Sequence, residues 1–340
     1  MDAPPPPFAE MPKAEIHLHL EGAIDLDTLV AIRARRRKPT GEGERRRLEA
    51  LYRHDGFIGF LKHFATLCEE ISDPEDLALA TTGLSQRLGA QRVRYAEVMC
   101  SPGIFVRRGI PPKEILDAVT AAGAAAAKNG GPRLQWILDS VRQWGPAAFE
   151  PLVEHAAAFL SRGVVGVGIG GDESSWKAKD FAMAYREARR LGLRTTAHAG
   201  EFSGPASVWE AIETLQVDRI GHGVRAVEDA TLVGLLADQR VPLECCPTSN
   251  IATGIVADWE AHPIPALVRA GVFVTVGSDD PAMFGTTLLA EWEALHRKLG
   301  LTVEEVLRAG RNTIEATFLK DEEKKILLSE FDRSAERHTS

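Results

Sequence analysis

The sequence predicts an α/β fold of the (β/α)8 TIM-barrel class, with a helical insertion after the first strand and additional helices at the C-terminal end. Short runs rich in β-branched residues alternate with helical patterns along the 340 residues. The last six runs begin at residues 134, 164, 194, 219, 242 and 273, which is the spacing of a repeated βα unit. No linker interrupts this alternation, so we expect residues 1–340 to form a single domain.

Each predicted strand is a run rich in β-branched residues that ends at small or polar residues. These strands cover residues 14–21, 92–100, 134–141, 164–170, 194–200, 219–223, 242–247 and 273–279. Helix starts lie between them: Asp25 is a suitable N-cap, and Pro74 and Pro112 suit the first helical position. After Thr286 we expect helices as far as Arg333, followed by a polar tail.

The segment between the first and second strands is too long for one crossover helix. It contains an amphipathic stretch from Phe57 to Glu70, with apolar residues at helical spacing. We therefore predict that residues 22–91 form a helical cap, inserted over one mouth of the barrel within the single domain.

The composition excludes several classes of protein. The 40 Lys plus Arg and 48 Asp plus Glu give a formal net charge of −8, so the chain lacks the basic surface that nucleic-acid binding requires. No run is apolar enough to span a membrane, and the N-terminal residues resemble no signal peptide. The four cysteines show no disulfide spacing. We expect a cytoplasmic protein that binds neither nucleic acid nor membranes.

Two histidines on the first predicted strand are the first indication of chemistry. His17 and His19 point to the same face, because side chains two residues apart on a strand do so. Two imidazoles at this spacing can reach one metal ion. Taken alone, the pair could also be an incidental polar face.

Three other predicted strands end on residues that bind metals or transfer protons. The fifth ends at His198, with Glu201 just beyond it; the sixth ends at His222; and the eighth ends at Asp279 and Asp280. The C-terminal ends of barrel strands converge on the face that carries the active site. Singly, His222 could be a core histidine and Asp279 a helix N-cap. Together these residues predict one site.

The ligand types at this face suit zinc. Three histidines (His17, His19 and His198) and one aspartate form a nitrogen and oxygen set with a position left for water, as catalytic zinc requires. The fourth strand has no lysine or carboxylate before Asp172, so the bridging ligand of a two-metal barrel is missing from the sequence. We therefore expect one metal ion per chain.

Six ordered motifs resemble the adenosine deaminase family of zinc aminohydrolases, and together they cover nearly the whole chain. They are KAEIHLHLEG (13–22), GGDE (170–173), HAGE (198–201), RIGHG (219–223), CPTSN (246–250) and SDDPAMFGTTL (278–288). The resemblance implies a barrel enzyme that replaces the 6-amino group of an adenine ring with oxygen and releases ammonia.

The metal ligands implied by the resemblance are His17, His19, His198 and Asp279. The zinc that they hold would lower the pKa of its bound water from 15.7 to about 7 and so supply the hydroxide that attacks C6.

The resemblance also assigns the remaining catalytic roles. Glu201 is similar to the acid that protonates N1 of the adenine ring. His222 and Asp280 are similar to the pair that orients the hydroxide and shuttles its proton. The backbone N–H of Gly171 is similar to the donor to purine N3, where a small residue lets the backbone approach.

Three apolar residues of the inserted segment, Phe60, Leu61 and Phe64, resemble the family's cover over the substrate, although this spacing is also typical of a simple core. Glu21 replaces the aspartate that contacts the ribose 5′-hydroxyl in typical adenosine deaminases, and its longer side chain changes the reach of that carboxylate.

Other departures bear on the substrate. HLHLEG, GIGGDE and residues 140–145 resemble relatives that act on 5′-extended adenosines, notably the aminodeoxyfutalosine deaminases of menaquinone biosynthesis. Arg142, at the end of the third strand, is a candidate partner for a substrate carboxylate, because its planar fork suits that geometry. A structural ion pair is the alternative for this residue.

The expected activity is zinc-dependent hydrolytic deamination at C6 of an adenine nucleoside, either adenosine or a 5′-modified adenosine such as 6-amino-6-deoxyfutalosine. One alternative is an adenine deaminase, and another is a mononuclear-metal barrel amidohydrolase acting on a non-purine. A catalytically inactive binding protein would be expected to lack a ligand or Glu201, and the sequence retains them. The sequence does not decide between a monomer and a homo-oligomer.

Overall fold

Eight parallel strands form one sheet in the computed structural model, which describes residues 7–339. The strands are hydrogen-bonded in sequence order, as the predicted βα repeat requires. Their bounds are β1 (Lys13–His19), β2 (Val93–Cys100), β3 (Arg133–Val141), β4 (Val164–Gly170), β5 (Arg194–Ala199), β6 (Arg219–His222), β7 (Leu243–Cys245) and β8 (Val274–Val276).

The two ends of the sheet meet between β1 and the segment after β8. Leu18 and Asp279 form a parallel bridge, the His19 N–H donates to the Asp279 carbonyl at 2.8 Å, and the Asp279 N–H donates to the His17 carbonyl at 3.1 Å. A Cβ on Gly277 would lie 2.5 Å from the carbonyl oxygen of His17, so glycine permits this approach. The sheet therefore closes at residues predicted to bind metal.

Fifteen α-helices surround the strands in the described part of the chain. They are α1 (Leu26–Arg35), α2 (Glu42–Glu49), α3 (Gly56–Cys68), α4 (Pro74–Ala90), α5 (Pro102–Val106), α6 (Pro112–Lys128), α7 (Pro146–Ala158), α8 (Ala178–Arg190), α9 (Pro205–Glu210), α10 (Ala230–Asp238), α11 (Pro247–Ala252), α12 (Ile264–Arg269), α13 (Leu288–Arg297), α14 (Val303–Ala316) and α15 (Asp321–Thr339).

The predicted helix starts are confirmed. The Asp25 side chain accepts the backbone N–H of Thr28 and so caps α1. Pro74 and Pro112 are the first residues of α4 and α6, where the missing proline N–H costs no helical bond. The last helix continues to Thr339, beyond the predicted end at Arg333.

The segment predicted to form a helical cap, residues 22–91, contains the four helices α1 to α4. Helix α3 contributes side chains to a cavity at the mouth of the barrel. Helix α4 packs against α6 and β2.

Several strands end earlier than predicted at the C-terminal face of the barrel. Strand β1 ends at His19, because the Ala23 N–H donates to the His19 carbonyl and turns the chain. Glu21 consequently lies in a loop. Strands β7 and β8 have only three residues each. No helix among residues 7–339 is both long and apolar enough to cross a membrane.

Candidate active site

A cavity of about 380 Å³ opens at the C-terminal ends of the strands. Its lining includes His19, His198, Glu201, His222 and Asp279, from four strand ends, together with aromatic residues of α3. A larger opening of about 910 Å³ lies at the opposite end of the barrel, where β3 and β5 begin, and contains none of these residues. The smaller cavity is therefore the candidate site.

Three imidazoles and one carboxylate meet beside this cavity. The ligand atoms of His17, His198, His222 and Asp279 all lie within 4.8 Å of one another, and all four residues are buried. Nε2 of His17 is 3.6 Å from Oδ1 of Asp279, and Nε2 of His222 is 3.9 Å from Oδ2 of the same residue. This donor set suits a zinc ion.

His19 lies next to the same cluster. Its Nε2 atom is 3.4 Å from Oδ1 of Asp279, and its ring centroid is 5.6 Å from that of His17 and 5.4 Å from that of His198. The structure thus brings together the four ligands predicted from the sequence and places His222 at a comparable distance.

Hydrogen bonds fix the orientation of two of these imidazoles. Nδ1 of His17 lies 2.7 Å from Oε2 of Glu244, and Nδ1 of His198 lies 3.1 Å from the carbonyl oxygen of Ile169. Nε2 of His17 is buried and has no hydrogen-bond partner among the described residues. A ring held at Nδ1 with a free Nε2 is the arrangement of a metal-binding histidine. These residues therefore fit the predicted metal.

The protonation states of the clustered histidines also favour the binding of a cation. Burial lowers the pKa of His19 to about 4 and that of His222 to about 3, so both are neutral and have a lone pair available. Burial acts in the same direction on His17, but the neighbouring carboxylates of Asp279 and Glu244 raise its pKa to about 10. The two carboxylates therefore create a position that attracts positive charge.

Two residues at this face adopt a left-handed backbone conformation. His222 and Asp279 both have φ near 61°, which is uncommon for residues other than glycine. Such conformations cost about 1–3 kcal/mol each and concentrate at functional sites. His222 is the last residue of β6, and Asp279 lies in the segment after β8, so both are at strand ends that face the cluster.

Glu201 lies in the loop after β5, and the carboxylate of Glu173 holds this loop in place. Glu173 accepts hydrogen bonds from the backbone N–H groups of Gly200, Glu201 and Phe202 at 3.0, 2.8 and 2.9 Å. The Glu201 carboxyl lies 3.6 Å from Nε2 of His222. Burial, followed by the charges of Asp279 and Glu173, raises the pKa of Glu201 well above its ordinary value. This carboxyl can therefore carry a proton at neutral pH.

Asp280 is buried between the cluster and Gly22. Its Oδ1 atom has no hydrogen-bond partner among the described residues, and a Cβ on Gly22 would overlap this oxygen at 1.7 Å. Burial, with repulsion from Asp279 and Glu21, raises the pKa of Asp280 well above its ordinary value. The side chain is thus a second candidate for proton transfer.

Comparison with known proteins identifies the family. The adenosine deaminase family model matches residues 12–334. An aminodeoxyfutalosine deaminase of Streptomyces avermitilis is 36% identical over 327 residues, 96% of this chain and 91% of that protein. An adenine deaminase of Streptomyces coelicolor is 35% identical over 313 residues, 92% of each. The structure of an amidohydrolase from Burkholderia ambifaria with bound Zn has a TM-score of 0.90 and 28% identity, and the match covers 100% of this chain and 96% of that one.

The chain belongs to the adenosine deaminase family. It is an aminohydrolase of the adenosine deaminase type, built on the TIM barrel predicted from the sequence, and it deaminates an adenine-containing substrate.

Four of the substrate-binding residues suggested by similarity to the adenosine deaminase family line the cavity. They are Phe60, Leu61, Phe64 and Gly171. Phe60 is also part of the hydrophobic core, at 7% exposure. Its position therefore fits both interpretations of this residue, as a cover over the substrate and as part of the core. Glu21 does not line the cavity; it is buried, its Oε1 accepts the Ser101 N–H at 2.8 Å, and burial raises its pKa to about 7.

The expectation that Arg142 meets a substrate carboxylate is not supported by its position in the adenosine deaminase fold. Arg142 is buried, and its terminal nitrogens donate to the carbonyl oxygens of Glu173 and His198 at 3.2 and 3.4 Å. The next two residues, Gln143 and Trp144, line the cavity instead. Arg142 is therefore engaged within the protein, where it links the end of β3 to the loop that carries Glu173 and to β5 at His198.

The sequence reasoning missed Glu244 and Asp139 in this adenosine deaminase site. Glu244 orients His17, and its signal was a lone carboxylate within the apolar run of β7. Asp139 lines the cavity from β3 and is buried; its signal was likewise a carboxylate inside a predicted buried strand.

Proposed function

We propose that this protein catalyses zinc-dependent hydrolytic deamination at C6 of an adenine nucleoside that carries a 5′ extension, such as 6-amino-6-deoxyfutalosine. One observation carries the proposal: a buried cluster of imidazoles and a carboxylate adjoins, in one cavity, a separate carboxyl with a raised pKa. Metal-assisted hydrolysis with protonation of a ring nitrogen needs these two groups side by side.

His17, His19, His198 and Asp279 would hold one zinc ion per chain. Bound zinc supplies a polarised water of lowered pKa at neutral pH. We assign His222 a different role, because Nδ2 of Asn250 lies 3.4 Å from its Nδ1. With the amide in this orientation Nδ1 accepts the hydrogen bond, so Nε2 carries the proton and is suited to donate it.

Glu201 is assigned as the acid that protonates N1 of the adenine ring. Protonation at N1 withdraws electrons from C6, so that water adds there. Burial and the neighbouring carboxylates raise the pKa of Glu201 and so favour the protonated form that this role requires. The three backbone hydrogen bonds to Glu173 hold its loop in place during the transfer.

We assign His222 and Asp280 the role of transferring the proton of the attacking water. Both are buried, and Nε2 of His222 lies within 4 Å of carboxylate oxygens on both Glu201 and Asp279. One proton of the water passes through these groups to the 6-amino group, the C6–N bond breaks and ammonia leaves. The other proton of the water returns to Glu201, whose original proton remains on N1 of the 6-oxopurine.

The cavity favours a substrate larger than adenine. Its volume of about 380 Å³ falls within the range of roughly 300–1,000 Å³ that buries drug-sized ligands. From His198 it extends past the aromatic residues of α3 to Arg108 and Trp144. With N3 of the purine at the Gly171 N–H, a 5′ extension would occupy the part that the base leaves empty.

Adenine is the second candidate substrate. It is favoured by the 35% identical adenine deaminase and by the absence of Glu21 from the cavity lining in the described chain, because that position contacts the ribose in typical adenosine deaminases. A non-purine substrate is disfavoured by the position of Glu201, which suits protonation of a ring nitrogen. We place the protein in the cytoplasm, where its four buried cysteines would remain reduced.

Metal analysis and a substrate comparison test this proposal together. We expect about one zinc per chain and loss of adenine ultraviolet absorbance, fastest with 6-amino-6-deoxyfutalosine, then adenosine, then adenine. Fastest turnover of adenine would replace the nucleoside assignment. Two tightly bound metals, or full activity without metal, would overturn the site assignment, and no deamination of any of the three would overturn the substrate class.

A further inference from the structure

Asp139, on β3, lines the cavity and has a buried carboxyl oxygen without a hydrogen-bond partner in the described chain. The residue is 4% exposed and lines the cavity, and its Oδ1 atom has no hydrogen-bond partner among the described residues. A buried polar atom without a partner costs free energy, so native structures satisfy such atoms with protein, water or ligand. The oxygen therefore points to a ligand group that the protein itself does not supply.

Two glycines on the neighbouring strand make room for this carboxyl. A Cβ on Gly168 would lie 2.9 Å from Oδ1 of Asp139, and a Cβ on Gly170 would lie 3.0 Å from Oδ2. Strands β3 and β4 pair Asp139 directly with Gly168. A side chain at either position would displace the carboxyl, so the GIGG sequence of β4 leaves a space beside it.

Asp139 lies beside the metal cluster but is not one of its candidate ligands: a Cβ on Gly170 would meet Oδ2 of Asp139 at 3.0 Å and the His198 ring at 3.1 Å. The candidate ligands and catalytic residues lie on or just after β1, β5, β6 and β8, whereas Asp139 lies on β3. Arg142 is the nearest cation in sequence, and it donates to backbone carbonyls of Glu173 and His198. Asp139 is thus free of the ion pair that would otherwise explain a buried carboxylate.

The topology indicates which edge of a purine Asp139 faces. In a closed eight-strand barrel, β3 lies across the mouth from β7 and away from β6 and β8, where His222 and Asp280 act on C6. When C6 faces those groups and N1 faces Glu201 after β5, N3 turns toward β4 and the N9 edge turns toward β3. Gly171, assigned to N3, follows β4 and lies beside this strand.

We propose that Asp139 is a specificity-determining residue that hydrogen-bonds a hydroxyl group of the sugar attached to N9. This inference rests on the proposed function, since it takes the orientation of the purine from it. A hydroxyl can both donate and accept, so it suits the carboxyl in either protonation state. Free adenine offers an N9–H instead, and the experiment below separates these two sources of the same hydrogen bond.

The test is a cycle of protein variants and substrate analogues. Asp139→Ala and Asp139→Asn are compared with the wild type on adenosine, on its 2′-, 3′- and 5′-deoxy analogues and on adenine, by kcat/KM. Removing one partner of a buried hydrogen bond leaves the other unsatisfied, so we expect a loss of about tenfold or more for one deoxy analogue with the wild type. We expect the same loss for Asp139→Ala with adenosine, and no further loss when both changes are combined.

Controls separate specificity from folding. Zinc content and thermal unfolding are measured for each variant, and Asp238→Asn, an exposed aspartate in α10, serves as the matched control. Asp139→Asn keeps the shape of the side chain, so it reports on hydrogen bonding if the alanine variant unfolds. The affinities of the variants for inosine and its deoxy analogues, measured by calorimetry, give the same comparison without turnover.

The outcomes are distinct. Coupling to one sugar hydroxyl supports the proposal, whereas a selective loss of adenine turnover in Asp139→Ala moves the contact to N9–H and overturns the sugar assignment. Equal losses on all substrates with no coupling refute a specificity role for Asp139 while leaving the proposed deaminase intact. A wild type that neither deaminates nor binds these compounds overturns both proposals.

Discussion

Oε2 of Glu244 lies 2.7 Å from Nδ1 of His17, and both side chains are fully buried in the barrel. The other oxygen of Glu244 accepts a hydrogen bond from Nε of Arg219 at 2.5 Å, and Arg219 also pairs with Glu97 at 2.6 Å. This chain of charges fixes the His17 ring with Nε2 toward the candidate metal position. Carboxylates behind ligating imidazoles orient the ring and raise its basicity.

Replacing Glu244 with glutamine should weaken zinc binding by about 10- to 100-fold. Glutamine has nearly the same shape, but it removes the negative charge that polarises His17 and balances Arg219. Zinc affinity is measured by competition with a chelator, and thermal unfolding is followed separately. Glu304→Gln, an exposed glutamate in α14, is the control. Equal affinities in the two variants would show that Glu244 does not support the metal.

Glu201→Gln should retain zinc and lower turnover by about 10²-fold or more, which is typical of losing a general acid. The amide fills the same space but cannot deliver a proton to N1. Metal content and kcat are measured on the same preparation. Glu213→Gln, exposed in the π-helical turn Ala211–Leu215, should behave as wild type. Unchanged turnover in Glu201→Gln would remove this residue from the mechanism.

Glu173→Gln should lower kcat while leaving zinc content unchanged and KM little affected. A glutamine can accept through one atom only, so at least one hydrogen bond from Gly200, Glu201 or Phe202 is lost. The charge of Glu173 also helps to raise the pKa of Glu201, after burial and Asp279. Its removal lowers that pKa, so the alkaline limb of the pH profile should move to lower pH.

This shift distinguishes positioning from a purely structural role. A variant that only destabilises the loop would lower activity equally at all pH values. Asp172→Asn, which removes a neighbouring carboxylate bonded to Ser174 and Ser175, is the matched control and should leave the alkaline limb in place.

The strand ends of this barrel could be predicted because parallel barrel strands converge at one face. His198, His222 and Asp279 lie at the ends of predicted strands and His17 on the first of them, and in the structure the ligand atoms of these four residues lie within 4.8 Å of one another. The left-handed turn at Asp279 and the short β8 could not be predicted, since they depend on how the sheet closes against His17.

The direction of a side chain after a strand end could not be predicted from the sequence. Arg142 follows β3 directly, but the chain enters the 3₁₀ turn Arg142–Trp144, which directs the guanidinium inward. Alternation along a strand no longer applies beyond its last residue, so the sequence could not assign Gln143 and Trp144 to the cavity. The packing of helix α4 could not be predicted for a related reason: no local signal separates a cap helix from a crossover helix.

Leu61→Ala and Phe64→Ala should raise KM several-fold with little change in kcat. Both side chains belong to α3 and line the cavity above the candidate substrate site, so truncation removes apolar contact area. Ile58→Ala is the matched control, because Ile58 is on the same helix but 77% exposed. Michaelis–Menten kinetics with a 5′-extended adenosine measure the effect. An equal rise in KM for Ile58→Ala would indicate a general effect on the helix.

Lys13 should make the stability of the protein increase with pH. Its Nζ is buried and donates to the carbonyl oxygens of Met11 and Gln91 at 2.9 and 3.0 Å. Burial, with repulsion from Arg92, lowers the pKa of Lys13 from 10.5 to about 7. Below pH 7 the folded and unfolded chains both bind this proton, and the penalty for burying the charge is present in full.

Between pH 7 and 10.5 the unfolded chain binds one more proton at Lys13 than the folded chain does, so the free energy of unfolding rises with pH. Lys13→Met removes this group, so the wild type should gain on the order of a few kcal/mol relative to the variant across that window. Urea denaturation at a series of pH values measures the difference. Lys325→Met, at an exposed position of α15, should show no such trend. A difference between wild type and Lys13→Met that stays constant with pH would mean that Lys13 remains charged in the folded barrel.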